Sequence, residues 1–299
     1  MKTEPVISVR DIVKQFRDIH GRAITVLDGV TFDVERGETL VIMGGSGCGK
    51  STILNCLIGE YDLDGGNIVY RLGNWPEPLP LAGADEAKLN ELRKRFGILF
   101  QSGALFNSMN VAENVALPLN EHSYVDKSVV DIMVTMKLQL VRMLAHRDKM
   151  PAQLSGGQKK RAGLARALAM DPEVLFYDEP SAGLDPVTSA AIDELIIDLS
   201  KKLSVTSVVV THEMDSAFRI ADRMVMLDRG RVLRVGPRSD FEALRDAGPG
   251  DLRDDAERLI HQFLNGLSGG PLTDAQGMSE YENLIQGDMS WTGAKTTGS

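Results

Sequence analysis

Four segments carry residues whose types and spacing suit phosphate chemistry: Gly44-Gly45-Ser46-Gly47-Cys48-Gly49-Lys50-Ser51-Thr52, Leu154-Ser155-Gly156-Gly157-Gln158, Phe176-Tyr177-Asp178-Glu179, and His212. The first fits G-x-x-x-x-G-K-[ST], after an apolar run at 39–43 and before a helical pattern through about Ile58. Glycines there let the backbone turn N–H groups around phosphates, and the helix N-terminus adds a favourable partial charge. Lys50 then reaches the β- and γ-phosphates of a nucleoside triphosphate such as ATP, and Ser51 ligates Mg²⁺. Asp178 and Glu179 close a second apolar run, at the carboxyl end of a buried strand, where open α/β sheets take their ligands. Adjacent carboxylates on an extended chain point to opposite sides. That assigns Asp178 to Mg²⁺ through water and Glu179 to orienting and polarising the attacking water. Away from a phosphate loop, such an Asp-Glu pair reads as a helix cap.

His212 ends the apolar run 205–210 and stands at the same sheet edge, which suits a γ-phosphate sensor; a lone histidine is otherwise structural. Gln101, after the expected strand Ile98-Leu99-Phe100, offers a neutral amide to Mg²⁺ or water. Ser155 is a natural N-cap for the helical run 159–169, so Ser155-Gly156-Gly157-Gln158 makes a second anion site. A merely capped helix with a solvated basic face is the alternative.

Positioning these groups requires a layered sheet. Residues 6–38 read as short antiparallel strands, with alternation in Val30-Thr31-Phe32-Asp33-Val34 and a turn at Arg36-Gly37. The continuous apolar run at 39–43 suits a strand buried on both faces. Residues 62–95 read as surface, with a turn at Asp64-Gly65-Gly66, three prolines within 74–80 and a charged helix at 86–95. From 111 to about 169 helical patterns dominate, interrupted at Pro118 and Pro151. Strand and helix then alternate: strand 173–177, helix 187–203, strand 205–210, helix 215–221, strand 223–227. The helix at 187 has Asp185 as N-cap, Pro186 in its first turn, and Ile192, Leu195, Ile196, Leu199 and Leu203 on one stripe. This alternation implies right-handed crossovers and a parallel sheet with helices on both sides. Past 247 a short helix ends near Leu264, and the Gly-, Ser- and Thr-rich residues 266–299 read as a mobile tail. Alternatively Phe263, Leu264, Tyr281 and Leu284 dock on a partner.

The 299 residues, 43% hydrophobic and 25% charged, suit a globular chain. A net charge of -9 argues against broad neutralisation of a nucleic acid. Cys48 and Cys56 are too few for a disulfide framework and fit a reducing compartment, with Cys48 a small filler in the phosphate loop. The start, Met1-Lys2-Thr3-Glu4-Pro5, lacks a secretory leader pattern. No run approaches the roughly 18 apolar residues of a membrane span, so membrane work is expected through a partner.

Together these segments resemble the ATP-binding subunit of an ABC transporter over roughly residues 6–245: an aromatic at Phe16, the Walker A loop at 44–52, the Q-loop at Gln101, the signature at 154–158, the Walker B strand into Asp178-Glu179, the D-loop Ser181-Ala182-Gly183-Leu184-Asp185, and the switch His212. The resemblance implies an α/β P-loop NTPase (RecA-like) core with a parallel sheet, an N-terminal antiparallel β subdomain and an inserted helical subdomain. Its domains would be an ABC ATP-binding domain at 1–247, helical at about 103–168, and an extension at 248–299.

In that family two copies face each other head to tail. Ser155 and Gly157 of one would cap the γ-phosphate held by Lys50 of the other, within a signature completed by Gly156 and Gln158, and Phe16 would stack on adenine. The sites implied are catalytic Lys50, Glu179 and His212; ATP-binding Phe16, Gly44 to Thr52 and Gln101; and metal-ligating Ser51, Gln101 and Asp178.

A narrower resemblance, to the ATPases of Mla- and Mce-type lipid transporters, lies in Phe100-Gln101-Ser102-Gly103-Ala104-Leu105-Phe106, Glu113-Asn114-Val115-Ala116-Leu117-Pro118-Leu119, Tyr177-Asp178-Glu179-Pro180, and Gln262-Phe263-Leu264-Asn265-Gly266-Leu267-Ser268-Gly269-Gly270-Pro271-Leu272. Many of those relatives carry Met where Gln158 stands. It implies a homodimer on the cytoplasmic face of the inner membrane. Its partners would be an integral-membrane permease met near residues 101–123 and substrate-binding and small accessory subunits, with no nucleic acid. Its work would be moving phospholipids. Competing expectations are a non-transport ABC ATPase such as a cell-division regulator, and the ATPase of a polar-solute importer.

Overall fold

Alternating apolar residues near the start of the chain build one sheet, and continuous apolar runs build another. The computed structural model describes residues 4–17, 19–73, 75, 77–248 and 250–267. Of the tail expected at 266–299, residues 268–299, with Tyr281 and Leu284, lie outside the described residues. In the first sheet β1 (Ile7–Arg17) and β2 (Ala23–Val34) form one long antiparallel pair, where several short strands were expected. Register shifts near Ile12 and between Lys14 and Gln15 bend the pair without ending it. After the Arg36-Gly37 turn, β3 (Thr39–Gly44) is buried at every position and leads through the phosphate loop into α1 (Lys50–Leu57).

Residues 62–95 are the largest departure from expectation. Asp64-Gly65-Gly66 is the entry to a strand and not a free turn. The Asp64 amide donates to the Val13 carbonyl at 2.9 Å, Gly65 pairs with Val13, and β4 (Gly65–Tyr70) adds to β1. A side chain at Gly65 would stand 3.3 Å from the Val13 Cβ, so glycine here serves close strand approach. Nor is the stretch all surface. Ile68, Tyr70, Leu72 and Leu92 are buried, and the Tyr70 hydroxyl donates to the Leu57 carbonyl at 2.5 Å, tying the first sheet to α1. β5 (Leu79–Pro80) completes a sheet ordered β2-β1-β4-β5.

α2 (Glu86–Arg93), capped by Asp85, precedes β6 (Phe96–Leu99), which ends before Phe100. A helical layer follows: α3 (Val111–His122), α4 (Lys127–Leu140), two 3₁₀ turns at Leu144–His146 and Pro151–Gln153, and α5 (Gly156–Ala167). Pro118 does not interrupt α3. It removes one backbone donor, while the Asn110–Glu113 capping box and buried Val111, Val115 and Leu119 carry the helix through.

β7 (Val174–Asp178), α6 (Pro186–Leu203), β8 (Thr206–Val210), α7 (Met214–Ile220), β9 (Arg223–Asp228) and β10 (Arg231–Pro237) complete the second sheet. Its order is β10-β9-β3-β8-β7-β6, parallel from β9 to β6 with β10 antiparallel at the edge. On α6, Asp185 caps the first turn and Ile192, Leu195, Ile196 and Leu199 are buried, contributing roughly 1.5–3 kcal/mol each. Leu203, expected on that stripe, is 39% exposed at the helix end.

The described residues up to Arg238 form one compact unit and a second begins at Ser239. The second contains most of α8 (Arg238–Asp246) and α9 (Asp255–Asn265), the latter capped by Asp254 and closed by left-handed Gly266. Among the described residues no helix is long and apolar enough to cross a membrane.

Candidate functional site

Parallel register brings three chain segments to one edge of the second sheet. Ile42 of β3 and Asp178 of β7 both pair with Val210 of β8, so the phosphate loop, Asp178-Glu179 and Thr211-His212 leave the sheet side by side. The Glu179 amide donates to the Val210 carbonyl at 2.9 Å, and the Thr211 amide to the Ile42 carbonyl at 3.1 Å. Gln101 follows the neighbouring β6, and Gln101, Phe100, Asp178 and Gly183 line a cleft of 530 Å³.

In the phosphate loop, Gly49 is the N-cap of α1 with φ 108°, and no side chain caps the helix. A Cβ at Gly49 would stand 2.8 Å from Leu27 Cδ2, so conformation and space both call for glycine. The uncapped amides of the first helical turn suit phosphate oxygens. Lys50 is buried, its Nζ donating to the carbonyls of Gly44 at 2.8 Å and Gly45 at 2.9 Å, so the ammonium already sits over the cradle. Cys48 is a buried filler as expected, while Ser46 and Ser51 are exposed.

Glu179 differs from expectation. It is not on extended chain: φ is +47°, a left-handed conformation that costs a non-glycine residue about 1–3 kcal/mol. The carboxylate is turned toward the neighbouring strand end. Oε2 accepts from Thr211 Oγ1 at 3.1 Å, and Oε1 lies 2.8 Å from His212 Nδ1. Glu179 is 8% exposed, which suits a base that handles one water in a restricted space. Asp178 Oδ1 is buried with no hydrogen-bond partner, and burial, then the Glu179 charge, push its carboxyl up, with Lys160 opposing. An orphaned buried carboxylate oxygen beside a phosphate loop is the donor a cation would use, so Asp178 and Ser51 fit Mg²⁺.

The second glycine-rich segment is built differently. Ser155 caps α5 in a reciprocal box: its Oγ accepts from the Gln158 amide at 3.3 Å, and the Ser155 amide donates to Gln158 Oε1 at 3.0 Å. Gln158 Nε2 also lies 3.2 Å from His146 Nε2, so this side chain is engaged within its own chain. Ser155 and Gly156 are exposed, whereas a Cβ at Gly157 would stand 2.5 Å from Thr188 Cγ2 of α6.

Phe16 lies on β1, in the other sheet, edge-on to Tyr61 with ring centroids 5.4 Å apart and under Lys14 Nζ at 5.4 Å. Sequence reasoning missed three residues. Tyr61 braces Phe16; Thr211 holds Glu179; and Lys160, which only the alternative reading placed, on a solvated basic face, is 4% exposed and donates to the Glu179 carbonyl at 2.8 Å. Burial pulls the Lys160 ammonium down to about 8, against the pull of Asp178 and Glu179. A signal was present: Lys160 lies three residues from Gly157 and Gly163 and four from Leu164, all on the buried face.

A family model described as "ABC transporter" matches residues 27–182. The chain is 39% identical over 274 residues to "Probable ribonucleotide transport ATP-binding protein mkl" of Mycobacterium leprae, covering 92% of this chain and 72% of that one. It is 36% identical over 263 residues to "Intermembrane phospholipid transport system ATP-binding protein MlaF" of Escherichia coli, covering 88% and 91%. Among solved structures it resembles the dimeric post-hydrolysis state of the ATP-binding cassette MJ0796 bound to ADP and Pi. That match has a TM-score of 0.69 and 28% identity, covering 78% of this chain and 98% of that one.

Proposed function

The chain belongs to the ABC transporter family, and from that membership we propose that two copies close head to tail over ATP and drive a separate membrane permease that moves phospholipids. As a family member it is an ATP-binding, ATP-hydrolysing subunit. The proposed ATP-binding domain spans 1–247, with its helical subdomain at about 103–168 and an extension at 248–299.

The observation that carries the dimer is a surplus: one chain has two glycine-rich helix starts, at Gly49-Lys50 and at Ser155-Gly156, and one triphosphate uses one. The solved cassette MJ0796, a dimer bound to ADP and Pi, supports a two-copy assembly. ATP would lie on the phosphate loop of one copy while Ser155 and Gly157 of the other meet its γ-phosphate. Lys50 exchanges the carbonyls of Gly44 and Gly45 for β- and γ-phosphate oxygens. Glu179 takes the proton of the attacking water and His212 steadies that carboxylate and the γ-phosphate. Ser51, Asp178 and Gln101 would hold Mg²⁺, which neutralises charge on the β- and γ-oxygens. Phe16 stacks on adenine for about 1–3 kcal/mol. Bound triphosphate holds the pair closed, and hydrolysis lets it reopen.

The phospholipid cargo is supported by the aligned MlaF, the ATP-binding protein of an intermembrane phospholipid transport system, matched over 91% of its length. The name of mkl favours a second reading, transport of a polar ribonucleotide. In either case the subunit would lie on the cytoplasmic face of the inner membrane, bound to its permease and to any substrate-binding or accessory subunits. Affinity purification from detergent-solubilised membranes, with mass spectrometry of bound proteins and lipids, separates the two. A permease with enriched phospholipid is expected. A permease without lipid whose ATPase rate responds to ribonucleotides would favour the second reading.

A further inference from the structure

We propose that Lys160 is a positioning residue for Glu179, gripping its carbonyl from the helix that begins at the signature turn, so that the seating of that helix sets the placement of the catalytic carboxylate. Glu179 holds a left-handed backbone conformation, which persists only if its surroundings over-determine it. Its amide is held by the Val210 carbonyl, its carbonyl by the Ala182 amide at 3.2 Å, and its carboxylate by Thr211 and His212. Those partners belong to the same sheet edge and the loop leaving it. Lys160 brings in a different element, α5, through its 2.8 Å bond to the same carbonyl. A lysine only 4% exposed is costly to keep charged unless it is hydrogen-bonded and faces opposite charge, and here the Glu179 carbonyl accepts from it while the charges of Asp178 and Glu179 favour the ammonium.

α5 has little slack to absorb a shift at its start. Gly157 has Thr188 against it, a Cβ at Gly156 would stand 3.1 Å from Leu184 Cδ2, and one at Gly163 would stand 2.8 Å from the Gly103 carbonyl oxygen. A movement of Ser155 on meeting a phosphate is therefore passed along α5 to Lys160, and from there to Glu179. This consequence rests on the two-copy arrangement proposed above. Within one chain Ser155 faces the ATP held by the partner, whereas Glu179 faces the chain's own ATP. Lys160 thus links the two nucleotide sites and makes hydrolysis cooperative.

The test compares the full-length chain with K160M, K160Q and K160R in steady-state ATP hydrolysis, alongside ATP-driven association of E179Q. Because a displaced catalytic group costs rate more than binding, K160M should lower kcat by about 10- to 100-fold and leave KM for ATP within about twofold. The Hill coefficient should fall toward 1, and K160R, which restores a cationic donor, should recover most of the rate. If K160M fails to fold, K160Q, whose amide is too short to reach the carbonyl, should show the same loss. Unchanged kcat, a raised KM with unchanged kcat, or no recovery in K160R would overturn the proposal. Should E179Q fail to associate with ATP while K160M still loses kcat alone, the two-copy arrangement falls and the positioning role stands.

Discussion

The phosphate loop and the signature turn are both glycine-rich segments that start a helix, yet they resolve the same problem in opposite ways. Every helix begins with N–H groups that lack intrahelical partners. At α1 the N-cap is Gly49, no side chain caps the helix, and Lys50 rests on two carbonyls that a phosphate can replace. At α5 the Ser155–Gln158 box satisfies one donor in each direction and leaves the Ser155 side chain exposed. The first start has no side-chain cap and leaves its amides to an anion; the second already holds the Ser155 and Gln158 amides within its own chain and leaves those of Gly156 and Gly157 for a phosphate. A helix start that is partly capped in its own chain and exposed at Ser155 fits a contact made across a dimer.

The largest effect is expected at Glu179. Glu179→Gln keeps the shape and the bonds from Thr211 while removing the base, so kcat should fall by about 100- to 10,000-fold with ATP still bound. The variant should accumulate as an ATP-dependent dimer in size-exclusion chromatography with light scattering. Brisk turnover, or a species that stays monomeric with ATP, would refute the assigned base or the closed pair. Next in size is Lys50→Ala. With the uncapped α1 start deprived of its cation, ATP affinity should fall by about 100-fold or more, measured with a fluorescent nucleotide. Retention of affinity would mean that the first helix start is not the primary anion site.

The phosphate loop was legible in sequence because its chemistry is a local backbone geometry that glycine, lysine and serine advertise at fixed spacing. Glu179 was legible as a carboxylate at a strand end but not in its orientation, which depends on Thr211 and His212 more than thirty residues away and on a left-handed backbone that Asp178-Glu179-Pro180 does not advertise. Lys160 was hidden for the opposite reason. Its neighbours Lys159 and Arg161 suggest a solvated face, while the small residues Gly157 and Gly163 that turn it inward look unremarkable. In the fold, the parallel strands were readable as apolar runs. β4 was not, because Gly65 and Gly66 signal a turn and act instead at a close approach of two strands. Pro118 likewise marks a break that capping and burial around it overrule.

A smaller effect is expected at the start of α5. Gly157→Ala adds a methyl where Thr188 Cγ2 would be 2.5 Å away, which overpacks the site at a cost of about 1–3 kcal/mol, partly offset by alanine's better helix propensity. Thermal unfolding should show the loss. ATP affinity of the separate subunit should hold, because the first helix start is untouched. If affinity fell as far as in Lys50→Ala, the two starts would not be separable.

The smallest change divides the two properties of Ser155. Ser155→Ala removes the acceptor for the Gln158 amide, so the helix start loses about 0.5–2 kcal/mol, and it also removes the hydroxyl offered to a phosphate. Ser155→Asp keeps a good N-cap and favours the positive end of the helix, so stability should match or exceed that of the parent chain. Its carboxylate would repel a γ-phosphate. Melting temperatures should therefore rank the aspartate variant with the parent and the alanine variant below both. In the Glu179→Gln background, ATP-driven dimerisation should fail in the aspartate variant and be weakened in the alanine variant. Dimerisation that followed melting temperature would make Ser155 a cap and nothing more, and the phosphate contact would have to be sought elsewhere on the molecule.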